Sequence, residues 1–241
     1  MALNVVQTMV CILFISPGSG SDGNSTTISR IYQHLHTHAA CRTVSHKISI
    51  QEFLKEASWS DVIIALHAWH SSDLLLTSHR RPYILIFGGT DLNHYSNSKP
   101  HLDQMTQVVK NSKYLVAFSA TMSSIAQQLW PDIPDSRIII IPQAIITKPN
   151  PICIFQNNLD TSKVVLLLAG IRKVKDPLFL VEAFSKWHHN NPEYKFVIMG
   201  PCKDQEFCKK VEKKRFKTYR VLSAMVQYLL KMLMDSFKKV S

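Results

Sequence analysis

The sequence predicts an α/β protein built on parallel sheets, and three observations support this fold class. Short apolar runs alternate with segments of helical spacing between residues 9 and 145. The runs lack polar alternation, which is typical of strands buried on both faces of a parallel sheet. A second strand–helix–strand pattern occupies residues 164–201. Together these patterns predict a doubly wound N-terminal domain and the beginning of a second, incomplete domain of the same kind.

Residues 1–145 form the predicted N-terminal domain, and each of its elements follows from local composition. Apolar runs predict buried strands at residues 9–15, 61–66, 83–87, 114–118 and 137–141. Helical spacing of apolar residues predicts helices at residues 24–38, 50–57, 101–110 and 121–130. The polar stretch 146–162, which contains prolines, is the predicted linker to the second domain.

The second domain is predicted to begin at residue 163 and to continue to residue 201. A strand leads into a short loop, Pro177 is predicted to open an amphipathic helix, and residues 196–199 form a second strand before Gly200. The remaining residues, 202–241, differ in composition from everything before them and are predicted to be an unrelated basic tail.

The positive charge of the chain is concentrated in this tail. The net charge is +11, but residues 202–241 hold eleven Lys and Arg against four Asp and Glu. An apolar stripe at helical spacing follows the basic cluster, formed by Leu222, Met225, Val226, Leu229, Met232, Leu233 and Phe237. One interpretation is a helix that covers the sheet, and the other is a basic amphipathic segment that binds a membrane surface or a protein partner. Nucleic acid is not a predicted partner, because aromatic residues do not alternate with the lysines as base stacking requires.

The cysteines and the N-terminus bear on the cellular compartment. Five cysteines are scattered without a CxxC pair, which fits a reducing compartment better than a disulfide framework. The apolar run 9–15 resembles a short signal sequence, but no Lys or Arg precedes Arg30. A cytoplasmic location is therefore favoured, and secretion remains open if the run acts as a signal. No uninterrupted apolar run approaches the roughly 20 residues of a membrane span.

A glycine-rich loop follows the first predicted strand and is a potential ligand-binding loop. Gly18, Gly20 and Gly23 match the spacing of a dinucleotide-binding loop, and Asn24 and Thr26 offer a helix cap and free amides to an anion. No acidic residue about 20 positions later completes the dinucleotide motif. A binding loop and an ordinary strand-to-helix turn are equally supported.

A second loop follows the strand at residues 83–87 and contains Gly88, Gly89, Thr90 and Asp91. This composition suits a tight turn that presents a carboxylate and an amide to a sugar. Local composition slightly favours the alternative, in which Asp91 caps the next segment. His67 and His70 follow the preceding strand; either could be a general base, but with no partner evident a structural role is favoured.

The loop Gly170–Ile–Arg172–Lys–Val–Lys175 carries the strongest chemical signal of the sequence. Arg172 offers a donor fork that suits phosphate, and Lys175 adds a point charge. Ligands of parallel sheets bind at the carboxyl ends of the strands, where this loop is predicted to lie. Because neither a Walker A sequence nor an Asp-x-Asp pair occurs, the residues predict a diphosphate site that needs no metal ion.

This loop, followed by Leu178-x-x-Val-x-Ala-Phe184, resembles the donor loop of group 1 (family 4) retaining glycosyltransferases of the GT-B fold. The turn Gly88–Asp91 is similar to the family's His-Gly-Ser/Thr-Asp turn, and residues 18–27 are similar to its N-terminal glycine loop. The resemblance covers roughly residues 9–200. It implies two Rossmann-like domains, an N-terminal one on the acceptor side and a C-terminal one that binds a nucleotide sugar.

The resemblance implies transfer of a hexosyl group with retention to an acceptor that the sequence does not identify. Arg172 and Lys175 would bind the donor diphosphate and also act in catalysis, by neutralising the charge that develops on it. At two places the sequence departs from the family's pattern, so the family's properties do not all apply to this chain. Gly88 replaces the family's His, and nothing in residues 202–241 matches the family's Glu-x7-Glu donor segment.

Two expectations follow from the departures. Because position 88 is Gly, the role of the imidazole in the family's turn is expected not to be filled in this chain. The chain is also expected to be a shortened form, so the alternative to an active transferase is an inactive protein that binds or regulates a partner through its basic tail.

Overall fold

The structure is a computed structural model, and it describes residues 9–18, 23–77, 81–144, 163–213 and 219–222. The chain separates into two compact units, Met1–Ile146 and Thr147–Ser241. Among the residues described, no helix is both long enough and apolar enough to cross a membrane.

The first unit contains a six-stranded sheet in which every neighbouring pair of strands is parallel. The strands are β1 (Cys11–Ser16), β2 (Ala40–Ser45), β3 (Val62–Leu66), β4 (Tyr83–Ile86), β5 (Tyr114–Ala117) and β6 (Ile138–Ile140). Their spatial order is β2-β1-β3-β4-β5-β6. Because all pairings are parallel, the carboxyl ends of the six strands lie along one edge of the sheet.

Helices connect these strands and cover both faces of the sheet. They are α1 (Gly23–Leu35), α2 (Ile50–Trp59), α3 (Ala68–Thr77), α4 (Gly89–Asn93), α5 (Lys99–Asn111) and α6 (Ala120–Leu129). Leu13 and Ile15 of β1 belong to one buried cluster, whereas Ile12 and Phe14 belong to another. Since alternate residues of a strand point to opposite faces, two separate cores confirm a doubly wound sheet.

Strand β2 and helices α3 and α4 of this unit were not predicted from the sequence. Strand β2 has the sequence ACRTVS, and its polar residues belong to an edge strand that is not buried on both faces. Helix α3 carries the buried polar residues Ser71 and Ser72, which weaken its amphipathic pattern. The prediction for β6 was wrong in one respect: β6 was expected to be buried, but Ile139 and Ile140 are about half exposed because β6 is the other edge strand.

The second unit contains a smaller parallel sheet in the order β7-β8-β9. Its strands are β7 (Lys163–Leu168), β8 (Tyr194–Met199) and β9 (Tyr219–Leu222), and its helices are α7 (Val181–His188) and α8 (Gln205–Lys213). Two small clusters form its core: one contains Val181, Phe196 and Ile198, and the other contains Ile171, Cys208 and Val211.

The helix that was predicted to open at Pro177 begins later in the structure. Residues Lys173–Lys175 form a 3-10 turn, and Asp176 follows with a φ of 36°, in the left-handed region that L-residues rarely adopt. Residues 177–180 are turns, so α7 begins only at Val181. The left-handed residue interrupts the helical path, and sequence periodicity does not reveal such a break.

Part of the segment predicted as an unrelated tail belongs to the second unit. Helix α8 follows β8, and β9 pairs with β8 over four residues in parallel. The basic residues 214–218 and most of the apolar stripe, from Met225 onwards, lie outside the described residues. The prediction of a membrane-binding or partner-binding segment therefore stays a prediction.

The scattered cysteines favoured a reducing compartment over a disulfide framework, but the structure contains a disulfide. Cys202 and Cys208 form a disulfide with a Cα–Cα distance of 6.1 Å. Cys202 lies just before α8, and the first turn of that helix brings Cys208 back towards it. A spacing of six residues is not a recognised pairing motif, so this disulfide could not be predicted from the sequence. Cys11 and Cys41 are free thiols.

Candidate functional site

The chain order creates a crevice at the carboxyl edge of the first sheet. Strand β1 continues through α1 to β2 on one side, whereas β3 lies on the other side of β1. Open α/β sheets bind their ligands in the crevice at the point where the strand order reverses in this way. Four of the residues that meet there are Asn24, His67, Thr90 and Asp91.

His67 joins three loops at this crevice. Its Nε2 lies 3.1 Å from Oδ1 of Asn24, and its Nδ1 lies 3.2 Å from Oγ1 of Thr90 and 3.3 Å from Oδ2 of Asp91. The residue is 5% exposed and has a φ of 71°. A left-handed conformation costs a non-glycine residue about 1–2 kcal/mol, so the surrounding contacts must hold it in place.

Asp91 fixes the two loops on either side of His67. Its carboxylate is fully buried and accepts hydrogen bonds from the backbone N–H groups of Gly88 at 2.8 Å, Ala68 at 3.0 Å and Trp69 at 3.2 Å. These donors lie at the starts of α4 and α3. Asp91 therefore acts as a cap for two helices, and both of its oxygens are engaged by the protein itself.

Gly88 has no side chain because His67 fills the space beside it. A β-carbon at position 88 would lie 1.7 Å from Cε1 of His67. The turn itself carries no imidazole, and His67 brings one beside it from the end of the neighbouring strand. The partners of His67 could not be identified from the sequence, because they come from loops 23 and 43 residues away.

The other predicted residues of the first unit lie around this crevice. Gly18 donates its backbone N–H to Oγ of Ser16 at 3.3 Å, and Gly23 begins α1. Thr26 is an exposed residue of the first turn of α1, and Gly89 is the exposed first residue of α4. Gly20 lies outside the described residues.

Two further imidazoles lie next to His67, and this grouping of three could not be predicted from the sequence. The ring of His70 is 5.6 Å from that of His67 and 5.2 Å from that of His46. Burial lowers the pKa of both His46 and His70, and their positions beside His67 lower it further. The Nε2 atom of His70 also lies 3.3 Å from the hydroxyl of Tyr95. The lowered pKa values favour the neutral form of both imidazoles at neutral pH.

The predicted donor loop of the second unit follows β7. Ile171 is buried, donates its N–H to the carbonyl of Pro201 at 2.9 Å and accepts from the N–H of Lys203 at 3.1 Å. Gly200 is required at the end of β8, because a β-carbon there would lie 1.8 Å from the carbonyl oxygen of Ala169. The backbone at Gly170 and Ile171 is thus held by the segment that follows β8.

Arg172 and Lys175 flank the 3-10 turn that follows this fixed backbone. Arg172 is half-buried and caps the turn, Lys175 is exposed, and the N–H of Lys175 donates to the carbonyl of Arg172 at 3.0 Å. Neither side chain forms an ion pair within the part of the chain that the structure describes. The structure therefore brings Gly170, Arg172 and Lys175 into one loop with two available positive charges.

A metal site is not evident in the same part of the chain. No group of three His, Cys, Asp or Glu residues is arranged to hold an ion among residues 9–18, 23–77, 81–144, 163–213 and 219–222. A metal-independent site stays a prediction.

The chain is similar in sequence to one known class of protein. No family model matches it. Its sequence is 32% identical over 220 residues to glycosyltransferase 1 domain-containing protein 1 of Xenopus tropicalis. The match includes 84% of this chain and 62% of the relative, so the chain spans less than two thirds of that protein.

Solved structures give the same fold at lower identity. HepE of Anabaena, in complex with UDP and glucose, has a TM-score of 0.68 at 14% identity. The match covers 89% of this chain and 69% of the HepE chain. A glycosyltransferase of Rickettsia africae has a TM-score of 0.57 at 14% identity, and the match covers 90% of this chain and 68% of the Rickettsia chain. A putative UDP-N-acetylglucosamine 2-epimerase of Listeria monocytogenes also has a TM-score of 0.57, at 6% identity. The match covers 89% of this chain and 69% of the Listeria chain.

The chain is therefore a glycosyltransferase-like protein with the GT-B type of α/β fold. In sequence it is similar to glycosyltransferase 1 domain-containing protein 1, and its fold is that of GT-B glycosyltransferases.

Proposed function

We propose that the chain binds a nucleoside diphosphate sugar through Arg172 and Lys175 and transfers the hexosyl group to an acceptor with retention. The observation that carries the proposal is the loop after β7, where two cations without an ion pair in the described residues directly follow a backbone held by Pro201 and Lys203. HepE of Anabaena, which has the same fold, is known in complexes with UDP-glucose and with UDP.

The chemistry of the loop suits a diphosphate that leaves during the reaction. The guanidinium of Arg172 can bind two phosphate oxygens at once, and the ammonium of Lys175 can neutralise charge without a fixed direction. Positive groups placed where negative charge develops stabilise the transition state. In this proposal the two side chains take the role that a metal ion has in other sugar transferases, and no cofactor is needed.

The first unit would supply the acceptor side. The crevice at its carboxyl edge holds Asn24, His67 and Thr90 in fixed orientations, and Asp91 locks the loops that carry them. A rigid set of polar groups at such an edge is what a sugar hydroxyl requires for orientation. The space beside Gly88 is occupied by the His67 ring, whereas the space beside Gly89 is open.

Calorimetry of the full chain with UDP, GDP and the two nucleosides tests the donor site. We expect binding of at least one nucleoside diphosphate and no measurable binding of uridine or guanosine, because the diphosphate carries the interaction. Equal affinity for a nucleoside and its diphosphate, or no heat from a sample that unfolds cooperatively, would contradict the proposal.

A second candidate function is a non-catalytic protein that binds a membrane surface or a partner through its basic segment. The sequence feature in its favour is the excess of eleven Lys and Arg over four Asp and Glu in residues 202–241, with no Glu-x7-Glu segment among them. Co-sedimentation with anionic lipid vesicles, compared between the full chain and a variant without residues 223–241, tests this function. Unchanged binding by the variant would exclude the apolar stripe as the binding element.

A further inference from the structure

An open pocket lies in the first unit between α1 and the carboxyl ends of β1 and β2. Its volume is about 370 Å³, which is within the range of small-molecule sites, about 300–1,000 Å³. It is lined by Ser16, Gly18, Ser25, Ile28, Ser29, Tyr32, Thr43, Val44 and Ser45. It lies at the ligand-binding edge of the sheet, on the side of β1 away from β3.

The lining of this pocket is rich in hydroxyl groups and carries no charge. Six of the nine residues are Ser, Thr or Tyr, and none is Asp, Glu, Lys or Arg. A hydroxyl group both donates and accepts hydrogen bonds, as the hydroxyls of a sugar do, whereas an anion needs donors alone. Ile28 and Val44 add apolar surface for the C–H face of a sugar ring.

Helical spacing explains why α1 presents these groups together. Ser25, Ile28, Ser29 and Tyr32 are separated by three or four residues, so they lie on one face of the helix. The hydroxyls of Ser29 and Thr43 have no hydrogen-bond partner within the described part of the chain. Two hydroxyl groups are thus available to a ligand.

Other members of the lining are held by the protein. The ring of Tyr32 lies 5.9 Å from that of Phe14, and its hydroxyl donates to the carbonyl of Cys41 at 3.4 Å. Oγ of Ser45 accepts from the N–H of Lys47 at 3.2 Å. Part of the pocket lining is therefore preformed, which lowers the entropic cost of binding.

A nearby cation is turned away from the pocket. Arg42 precedes Thr43, but its guanidinium lies 3.0 Å from the carboxylate of Glu56 and 4.0 Å from the ring centre of Trp59, both of α2. We propose that the pocket binds an uncharged polyhydroxylated ligand, namely the sugar ring of a neutral glycoside. That this ligand is the acceptor rests on the proposed transferase function.

Methyl NMR of the full chain tests the pocket directly. The methyl signals of Ile28 and Val44 are followed while neutral methyl glycosides are added to about 20 mM, enough to saturate a millimolar site. A matched anionic ligand, a methyl glucuronide, is added in a parallel series. We expect saturable shifts with at least one neutral glycoside and weaker binding of the glucuronide.

Two substitutions remove the available hydroxyls with little change of shape. Thr43→Val and Ser29→Ala should each raise the Kd for the neutral glycoside by about 2- to 10-fold, the effect of one lost hydrogen bond. Ser124→Ala, at an exposed position of α6, is the matched control and should leave the Kd unchanged. Absence of saturable shifts with every neutral glycoside, or equal binding of the glucuronide, would overturn the proposal, as would unchanged affinity in both variants.

The nucleotide titration separates this proposal from the transferase function. Binding of UDP or GDP without shifts at Ile28 and Val44 would retain the donor site and overturn the pocket. Glycoside binding without nucleotide binding would retain the pocket as a carbohydrate site and overturn its role as an acceptor site.

Discussion

The imidazole of His67 occupies the space that a side chain at position 88 would need. A β-carbon on Gly88 would lie 1.7 Å from Cε1 of His67, and the same ring is held by Asn24, Thr90 and Asp91. The two residues come from the ends of neighbouring strands, β3 and β4. The geometry of the crevice therefore depends on this pair.

Gly88→Ala should destabilise the protein through overlap with His67. The backbone of Gly88 has φ −92° and ψ 154°, which alanine adopts freely, so the cost is purely steric. We expect a loss of about 1–3 kcal/mol in the free energy of unfolding, measured with urea. In a His67→Ala background the same substitution should have little effect.

Gly89→Ala is the matched control for this experiment. A β-carbon at position 89 meets nothing within 4 Å, and the residue begins α4. We expect an unchanged or slightly higher stability, by up to about 1 kcal/mol. If Gly88→Ala lowered the free energy of unfolding by the same amount with and without His67, the proposed contact between residues 67 and 88 would be wrong.

Asp91→Asn should destabilise the protein although it keeps the shape of the side chain. The buried carboxylate accepts three backbone N–H groups, and an amide has one acceptor oxygen and a nitrogen that cannot accept. We expect a loss of about 1–3 kcal/mol in urea unfolding. Asp103→Asn, at an exposed position of α5, should change stability by less than about 0.5 kcal/mol.

The stability of the chain should fall as the pH decreases below about 6.5, the ordinary pKa of histidine. Burial lowers the pKa of His70 and of His46 from 6.5 in the folded state, so the unfolded chain binds more protons in the window below that value. The contribution is fully present above pH 6.5 and is lost as the pH falls.

His70→Gln should reduce this pH dependence. The difference in free energy of unfolding between about pH 7.5 and about pH 5.5 should shrink in the variant, because one of the two shifted groups is gone. His38→Gln, at an exposed position after α1, is the control and should keep the slope of the original protein. An identical slope in the His70 variant would show that His70 does not contribute.

Gly200→Ala should destabilise the second unit. A β-carbon there would lie 1.8 Å from the carbonyl oxygen of Ala169, and backbone cannot yield as a flexible side chain does. Gly170→Ala is the control for stability, because its β-carbon would meet Cγ of Lys203 at 3.4 Å, an ordinary contact. Equal thermal midpoints for the two variants would contradict the close approach of the strand ends.

The sequence predicted the central part of the first sheet because continuous apolar runs mark buried parallel strands. Strands β1, β3, β4 and β5 occur where such runs lie. The edge strand β2 was missed because its sequence, ACRTVS, has no such run. The start of α7 was misplaced because the left-handed conformation of Asp176 has no signature in periodicity.

The site could be predicted only where it is local in sequence. Gly170, Arg172 and Lys175 lie in one loop, so their spacing was enough to group them. The contact between His67 and Gly88 depends on which strands are neighbours and on their register, Leu66 pairing with Ile86. Local composition contains neither piece of information, and the same holds for the pairing of Cys202 with Cys208.

The proposed donor site depends most on Arg172 and Lys175 as ligands of a diphosphate. The most direct measurement is the Kd for UDP, or for GDP if that nucleotide binds, of the full chain, of Arg172→Gln and of Lys175→Gln, with Lys186→Gln on α7 as the matched control. We expect each of the first two substitutions to raise the Kd by about 10- to 100-fold, as for a lost hydrogen bond to a charged group. The control should keep the original Kd. Binding that is unchanged in both loop variants, or weakened equally in the control, would contradict the account.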